Sequence, residues 1–210
     1  MIKKVHFVRH GQTIYNSLKK IQGSSDISLN EVGIKQAKDF NINKNYDLYI
    51  HTGLKRSEET LDLILNDKNI KKEKEVLLQE RGYGIFEGLK DEEIKEKYPD
   101  LFEKWKKNEN VLIDKAENIE NVVNRIKKFI KKVTINNNKN IFVVTHSGVL
   151  YSLYKYMKNL DYGIRPDIYF SNCCSTYFEI IENNSDIILK LFCDNNEIIE
   201  KVIDKKELLL

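Results

Sequence analysis

The sequence predicts an α/β domain of three layers, a mostly parallel central sheet flanked by helices, and three observations carry that expectation. Short apolar, β-branched runs alternate with amphipathic segments of helix length. Two of those runs close in the same way, on a polar turn that holds histidine and glycine and leads into a helical pattern. The 210-residue chain has two prolines, Pro99 and Pro166, and no Gly/Ser-rich linker, so one domain over 1–210 is expected. A chain of this size buries roughly 70% of its unfolded surface.

Val5–Val8 is the first expected strand and runs into Arg9-His10-Gly11. Asn30 is an N-cap for a helix over Glu31–Phe40. Tyr46–Ile50 is the second strand, followed by a helix over Lys55–Leu65 with Leu61, Ile64 and Leu65 on one face. Asp91–Tyr98 is helical and stops where Pro99 disfavours the α conformation before it. Leu101–Lys107 is a second short helix. Ile119–Val133 carries an apolar stripe of Val122, Val123, Ile126, Phe129, Ile130 and Val133. Ile141–Thr145 is a buried strand, and Ser147–Met157 is the helix after it. Thr176–Ile181, Ile187–Phe192 and Ile198–Ile203 have no helices between them, so they predict an antiparallel edge. The segment 82–115 breaks the alternation. It is dense in charge and in aromatics (Tyr83, Phe86, Tyr98, Phe102, Trp105), and is expected to be a helical cap insertion packed by its own rings.

Composition narrows the partners. Lys+Arg number 35 against 32 Asp+Glu, a formal charge of +3 that calls for neither nucleic acid nor an anionic membrane. No apolar run approaches the ~18 residues of a membrane span. The N-terminal lysines lead to His6 and Arg9 instead of the apolar core of a leader. Cys173, Cys174 and Cys193 are odd in number and two are adjacent, so no disulfide framework is expected and a cytoplasmic location is. No CxxC or HExxH spacing suggests a metal site. Arginine is scarce: Arg9, Arg56, Arg81, Arg125 and Arg165 are the only five among the 35 basic residues. The planar guanidinium fork binds phosphate or carboxylate in a way lysine cannot copy. Histidine is equally scarce, at His6, His10, His51 and His146.

Val8-Arg9-His10-Gly11 and Val144-Thr145-His146-Ser147-Gly148 place the two strand-end histidines where ligands of open α/β sheets bind, outside the carboxyl ends of strands. Helix N-termini there favour anions. By itself, His10 could be a satisfied core histidine.

The block Phe7-Val8-Arg9-His10-Gly11-Gln12-Thr13-Ile14-Tyr15-Asn16 resembles the signature of the histidine phosphatase superfamily, also called the phosphoglycerate mutase-like family. Further blocks follow in that family's order. They are Gln22-Gly23 with Asp26, Leu29 and Gly33; Leu54-Lys55-Arg56 with Thr60; Leu78-Gln79-Glu80-Arg81; Gly84–Gly88; Thr145–Gly148; and Asn172–Thr176. Gln12, Gly53 and Ala116-Glu117-Asn118 depart from common family residues.

The resemblance implies that His10 is a nucleophile forming a phosphohistidine, with Arg9, Arg56 and His146 holding the phosphoryl group. Like charge from Arg9 and Arg56 would keep His10 neutral. The family pattern implies Glu80 as general acid and base, with Glu87 a nearby alternative. Asn16, Gln22, Gly23, Tyr83 and Ser147 would line the substrate pocket, and neither cofactor nor metal is implied. Arg56 could otherwise form a surface ion pair with Glu58 or Glu59. His6 is expected to be packed within its strand, and His51 to cap a strand end. Arg81 is expected to be structural, Arg125 to sit in an ion pair, and Arg165 to lie in a loop.

Two activities share the phosphohistidine step. Asp91 stands where the mutases carry a lysine, and Trp105-Lys106-Lys107-Asn108-Glu109 lacks their paired arginines. Gly84–Pro99 followed by Phe102-Glu103-Lys104-Trp105 resembles the small bacterial phosphatases, α-ribazole phosphatase and broad-specificity types among them. The expected activity is metal-independent hydrolysis of a small phosphorylated metabolite. Cofactor-dependent phosphoglycerate mutase is the alternative, and a non-catalytic phospho-ligand binder a third reading. Monomer and homodimer both stay open.

Overall fold

The computed structural model describes residues 1–42, 45–107, 111–164, 166–192 and 197–206. Cys193, Arg165 and residues 108–110 of the 82–115 segment lie outside the described residues.

The seven strands are β1 (Ile2–Arg9), β2 (Leu48–His51), β3 (Lys72–Lys74), β4 (Asn140–Thr145), β5 (Ser175–Glu182), β6 (Asp186–Phe192) and β7 (Ile198–Asp204). They form one sheet in the order β3-β2-β4-β1-β5-β6-β7. β3, β2, β4 and β1 are mutually parallel, and β5 to β7 extend the sheet antiparallel from β1. The expected antiparallel edge therefore forms, and the parallel half carries both histidine-bearing strand ends.

Strand alternation divides the core. Val5, Phe7, Ile141 and Val143 face helices α6 (Ile119–Ile135) and α7 (Ser147–Lys158). Val8, Phe142 and Val144 face the other way, toward α2 (Glu31–Asp39) and α3 (Lys55–Leu65). The six apolar residues of the α6 stripe are all buried, each contributing about 1.5–3 kcal/mol over exposure. Asn30 caps α2 by accepting from the Gly33 amide at 2.8 Å, and α3 stops at Asn66 in the left-handed conformation.

A four-residue helix, α1 (Ile14–Ser17), follows β1 and is capped by Thr13. In the 82–115 segment, α4 (Asp91–Lys97) ends ahead of Tyr98 and α5 (Pro99–Lys106) opens on proline at its first position. Phe86, Ile94, Phe102 and Ile113 make a third apolar cluster with Tyr83, Tyr98 and Trp105 around it. The Phe86 and Trp105 rings meet edge to face at 5.4 Å.

Candidate active site

The pairing of β1 with β4 builds the centre. Their parallel register sets Arg9 opposite Thr145, so His10 and His146, each the next residue, leave adjacent strands side by side. Their ring centroids are 5.2 Å apart, and they are 1% and 0% exposed. The backbone behind His10 is packed against backbone. A Cβ at Gly33 would sit 2.1 Å from the Gln12 carbonyl oxygen, and one at Gly11 2.7 Å from the Gly33 oxygen.

Hydrogen-bond partners assign the tautomers. His10 Nδ1 lies 2.7 Å from the Gly11 carbonyl, which only accepts. Nδ1 therefore carries the proton and Nε2 the lone pair, and buried Nε2 has no partner among the described residues. His146 Nε2 meets the Thr52 hydroxyl at 2.8 Å, and its Nδ1 has no partner among the described residues. When Thr52 donates to Nε2, the His146 proton sits on Nδ1. Both imidazoles titrate well below the ordinary histidine range. For His10, burial is the first cause, followed by Arg56 and Arg9. The like charge expected from Arg9 and Arg56 therefore acts, and burial outweighs it.

Arg9 ends β1 and donates Nη1 to the Phe170 carbonyl at 2.6 Å. Arg56, in the first turn of α3, is fully buried and donates to the carbonyls of Ser25 and Gly23, both at 2.7 Å. This replaces the surface ion pair with Glu58 or Glu59. Burial lowers the Arg56 pKa to about 10, which leaves it charged at neutral pH. Nε of each guanidinium is buried without a protein partner, and neither residue joins an ion pair among the described residues. Buried cations with no carboxylate in contact, Glu80, Asp26 and Glu87 acting on Arg56 only from further off, mark a place for an anion.

Glu80 sits at the N-terminus of α7. Its carboxylate accepts from the Arg81 amide at 2.9 Å and the Gly148 amide at 3.3 Å. A Cβ at Gly148 would come within 2.3 Å of Glu80 Oε1, so glycine leaves room for this carboxylate. The Glu87 carboxylate is occupied differently. It accepts from the backbone amides of Ser24 and Tyr83, both at 2.9 Å, and from the Ser25 hydroxyl at 3.2 Å. Glu87 thus clamps the loop whose carbonyls hold Arg56.

The other expected pocket residues divide. Asn16 caps back onto Thr13, and the Asn172 amide bridges Asn16 and the His10 carbonyl. Gln22 accepts from the Thr13 hydroxyl at 2.5 Å. Gly23 adopts a positive φ of 56° and turns its carbonyl to Arg56. Tyr83 is close enough to Glu80 to feel its charge. Ser147 is half-buried at the first position of α7. Thr52, Gly148 and Asn172 were not among the expected site residues. Gly148 and Asn172 lie in blocks that carry the family resemblance, but no spacing singles out Thr52, whose contact arises because β2 lies beside β4.

The remaining histidines and arginines among the described residues make contacts within the protein. His6 bonds Tyr46 and Ser175 hydroxyls within its strand. His51 ends β2 near Glu58, 3.9 Å away. Arg125 grips Glu117 with two bonds of 2.8 Å, and Arg81 donates Nε to the Glu117 carbonyl at 2.7 Å.

Paired neutral imidazoles and two guanidiniums at the carboxyl ends of parallel strands describe a phosphoryl-transfer enzyme. The chain belongs to the histidine phosphatase superfamily (branch 1), whose family model matches residues 5–191. Within that family it is a phosphatase. It is 29% identical over 195 residues to phosphoserine phosphatase 1 of Hydrogenobacter thermophilus, covering 90% of this chain and 91% of that one. It is 31% identical over 222 residues to the 2,3-bisphosphoglycerate-dependent phosphoglycerate mutase of Buchnera aphidicola, covering 88% and 96%. The α-ribazole phosphatase structure from Shigella flexneri has the same fold, with a TM-score of 0.74 at 19% identity over 97% of this chain and 96% of that one.

Proposed function

We propose that the chain hydrolyses phosphomonoesters through a phosphohistidine on His10 Nε2. The observation that carries this is the buried, neutral Nε2, unpartnered among the described residues, beside two guanidiniums that no carboxylate contacts there. The Nε2 lone pair attacks phosphorus, the ester P–O bond breaks, and Glu80 gives its proton to the leaving oxygen. Water then attacks the phosphohistidine. Glu80 takes a proton from that water, the P–N bond breaks, and inorganic phosphate departs. Arg9, Arg56 and His146 Nδ1–H stabilise the charge on the transferring oxygens. Cations of the chain neutralise that charge, and among the described residues no cluster of three or more His, Cys, Asp or Glu could hold a metal ion.

Asn16, Gln22, Gly23, Tyr83 and Ser147 shape the pocket in this reading. Residues 1–210 form one domain with 82–115 as its cap, acting on a small phosphorylated metabolite in the cytoplasm. No helix of the described residues is long and apolar enough to cross a membrane. p-Nitrophenyl phosphate with EDTA is the direct assay. Turnover that His10→Ala abolishes, with an acid-labile phosphoenzyme trapped in the native protein, is expected. No turnover, or turnover that His10→Ala leaves intact, would sink the mechanism. Conversion of 3- to 2-phosphoglycerate stimulated by 2,3-bisphosphoglycerate would mark a mutase instead.

A further inference from the structure

The antiparallel half of the sheet has two unlike faces. Phe178, Ile180, Leu189 and Leu191 point into the core with α6 and α7. On the other side of the sheet, α2 and α3 pack over the parallel half, against Val8, Phe142 and Val144. The residues of β5, β6 and β7 on that side are half-buried or exposed throughout, and Ile198 and Val202 are each 60% exposed.

Strand register orders this open face into three rows. Ile2, Ile181, Ile188 and Val202 lie side by side across β1, β5, β6 and β7. The next row, two residues along each strand, is Lys4, Glu179, Lys190 and Glu200. Lys4 pairs with Glu179 at 3.5 Å and Lys190 with Glu200 at 3.0 Å. Tyr177, Phe192 and Ile198 make the third row. An apolar face left open in this way marks an interaction surface, and the charge order selects what covers it. The middle row reads plus, minus, plus, minus. Turned end for end, it reads minus, plus, minus, plus. A second copy rotated by 180° about an axis parallel to the strands presents that reversed order, so Lys4 meets the partner's Glu200 and Glu179 meets the partner's Lys190. The same rotation keeps each row at its own height along the strands, so Ile181 meets the partner's Ile188 and Tyr177 the partner's Phe192. Rotation about an axis across the strands would set Lys4 on Lys4 and Glu179 on Glu179, which like charge rejects.

We infer that the open face of β1, β5, β6 and β7 is the interface of a two-fold homodimer, in which two sheets stack face to face and the Lys4-Glu179-Lys190-Glu200 row sets their register. Stacked sheets lie about 10 Å apart, close to the thickness of one helix layer. The partner's sheet therefore comes level with α2 and α3, and its β7 edge abuts them. Four strands about 4.8 Å apart and rows about 7 Å apart span roughly 20 Å each way with side chains, a footprint of about 400 Å² per copy. That is at the low end for a specific interface. The dimer accordingly dissociates on dilution, with a Kd on the order of 10 μM.

Sedimentation equilibrium of the full chain tests this, with circular dichroism confirming that each variant is folded. The native protein should pass from monomer to dimer mass between about 1 and about 300 μM. Lys190→Glu sets glutamate against glutamate twice across the two-fold axis and should raise Kd on the order of 10-fold or more. Glu179→Lys alone should do the same with lysines. Glu179→Lys combined with Lys190→Glu makes the row plus, plus, minus, minus, which is again self-complementary on reversal, and should restore the dimer. A carbodiimide cross-link between Lys4 and Glu200 reads the geometry directly. Within one copy three strand spacings, about 14 Å, separate the two, so in a mixture of isotopically light and heavy protein the cross-linked peptides should include mixed pairs. Monomer mass up to about 300 μM overturns the inference. So does a dimer whose Kd Lys190→Glu leaves unchanged, or one in which the double variant is no tighter than the single ones.

Discussion

Gly148→Ala sets a helix rule against a catalytic geometry. Gly148 is the second residue of α7, where alanine gains over glycine at most the roughly 0.5–1 kcal/mol of a helix interior, so propensity mildly favours the change. The new Cβ would nonetheless meet Glu80 Oε1 at 2.3 Å and Glu80 Cδ at 3.3 Å. Arg81 Cβ, at 3.4 Å, is in ordinary contact. The obstructed atom is the far end of a flexible side chain, so the fold should survive while the carboxylate moves by roughly 1 Å, a displacement that costs about 10²-fold in catalysis. That equals about 2.7 kcal/mol of barrier. Thermal melts should show Gly148→Ala folded with a midpoint no lower than the native protein. kcat on an alkyl phosphate, whose leaving oxygen needs a proton, should fall about 10²-fold. The first step with p-nitrophenyl phosphate should suffer less, because p-nitrophenolate departs without help. Near-native kcat on the alkyl ester by a folded Gly148→Ala protein would refute the placement of Glu80 as the proton donor.

Gly33→Ala has the opposite balance, since its Cβ would strike the Gln12 backbone at 2.1 Å; a loss of about 1–3 kcal/mol in urea unfolding together with lost turnover is expected. Thr52→Val removes the partner of His146 Nε2, and kcat should drop on the order of 10-fold, with Thr52→Ser restoring it. Stability should fall with acid. The unfolded chain protonates His10 and His146 below the ordinary pKa of 6.5, whereas the native protein holds both neutral to well below it. Stability is therefore full above that value and declines beneath it, by up to about 1.4 kcal/mol per pH unit for each imidazole. Unfolding at pH 7.5 and 5.5 measures this, and His10→Asn should flatten the slope.

The alternation of apolar runs and amphipathic stripes made most of the fold legible. α3 matches its expected bounds, β1 starts three residues earlier than expected, and the other expected strands differ by a residue or two at their ends. β3 escaped because Lys72-Glu73-Lys74 has no apolar signature. It is an edge strand paired only to β2, where lysine discourages further pairing. α1 escaped because four residues are too few for a period; its signal is the capping pair of Thr13 and Asn16. Within the site, residues at strand ends were legible because a sharp turn after an apolar run can be seen locally. The Arg56 geometry was not, since its partners Gly23 and Ser25 lie 33 and 31 residues away. Nothing in a lysine-rich sequence marks Lys155, which is buried and donates Nζ to the Tyr162 carbonyl at 2.6 Å.

The β1–β4 register also constrains how this enzyme can come into being. Its two histidines are brought together by strands more than a hundred residues apart, whose ladder runs from Lys4 opposite Asn140 to Arg9 opposite Thr145. A slip of one residue would turn every side chain of β1 to the opposite face. Such long-range parallel pairing is slow to form, because loop closure precedes any gain from contact. Catalysis in a refolding experiment is thus a clock for this long-range pairing, and should return later than helical structure does. It also means that an insertion far from the centre, in any surface loop between these strands, can be tolerated so long as the ladder closes in step.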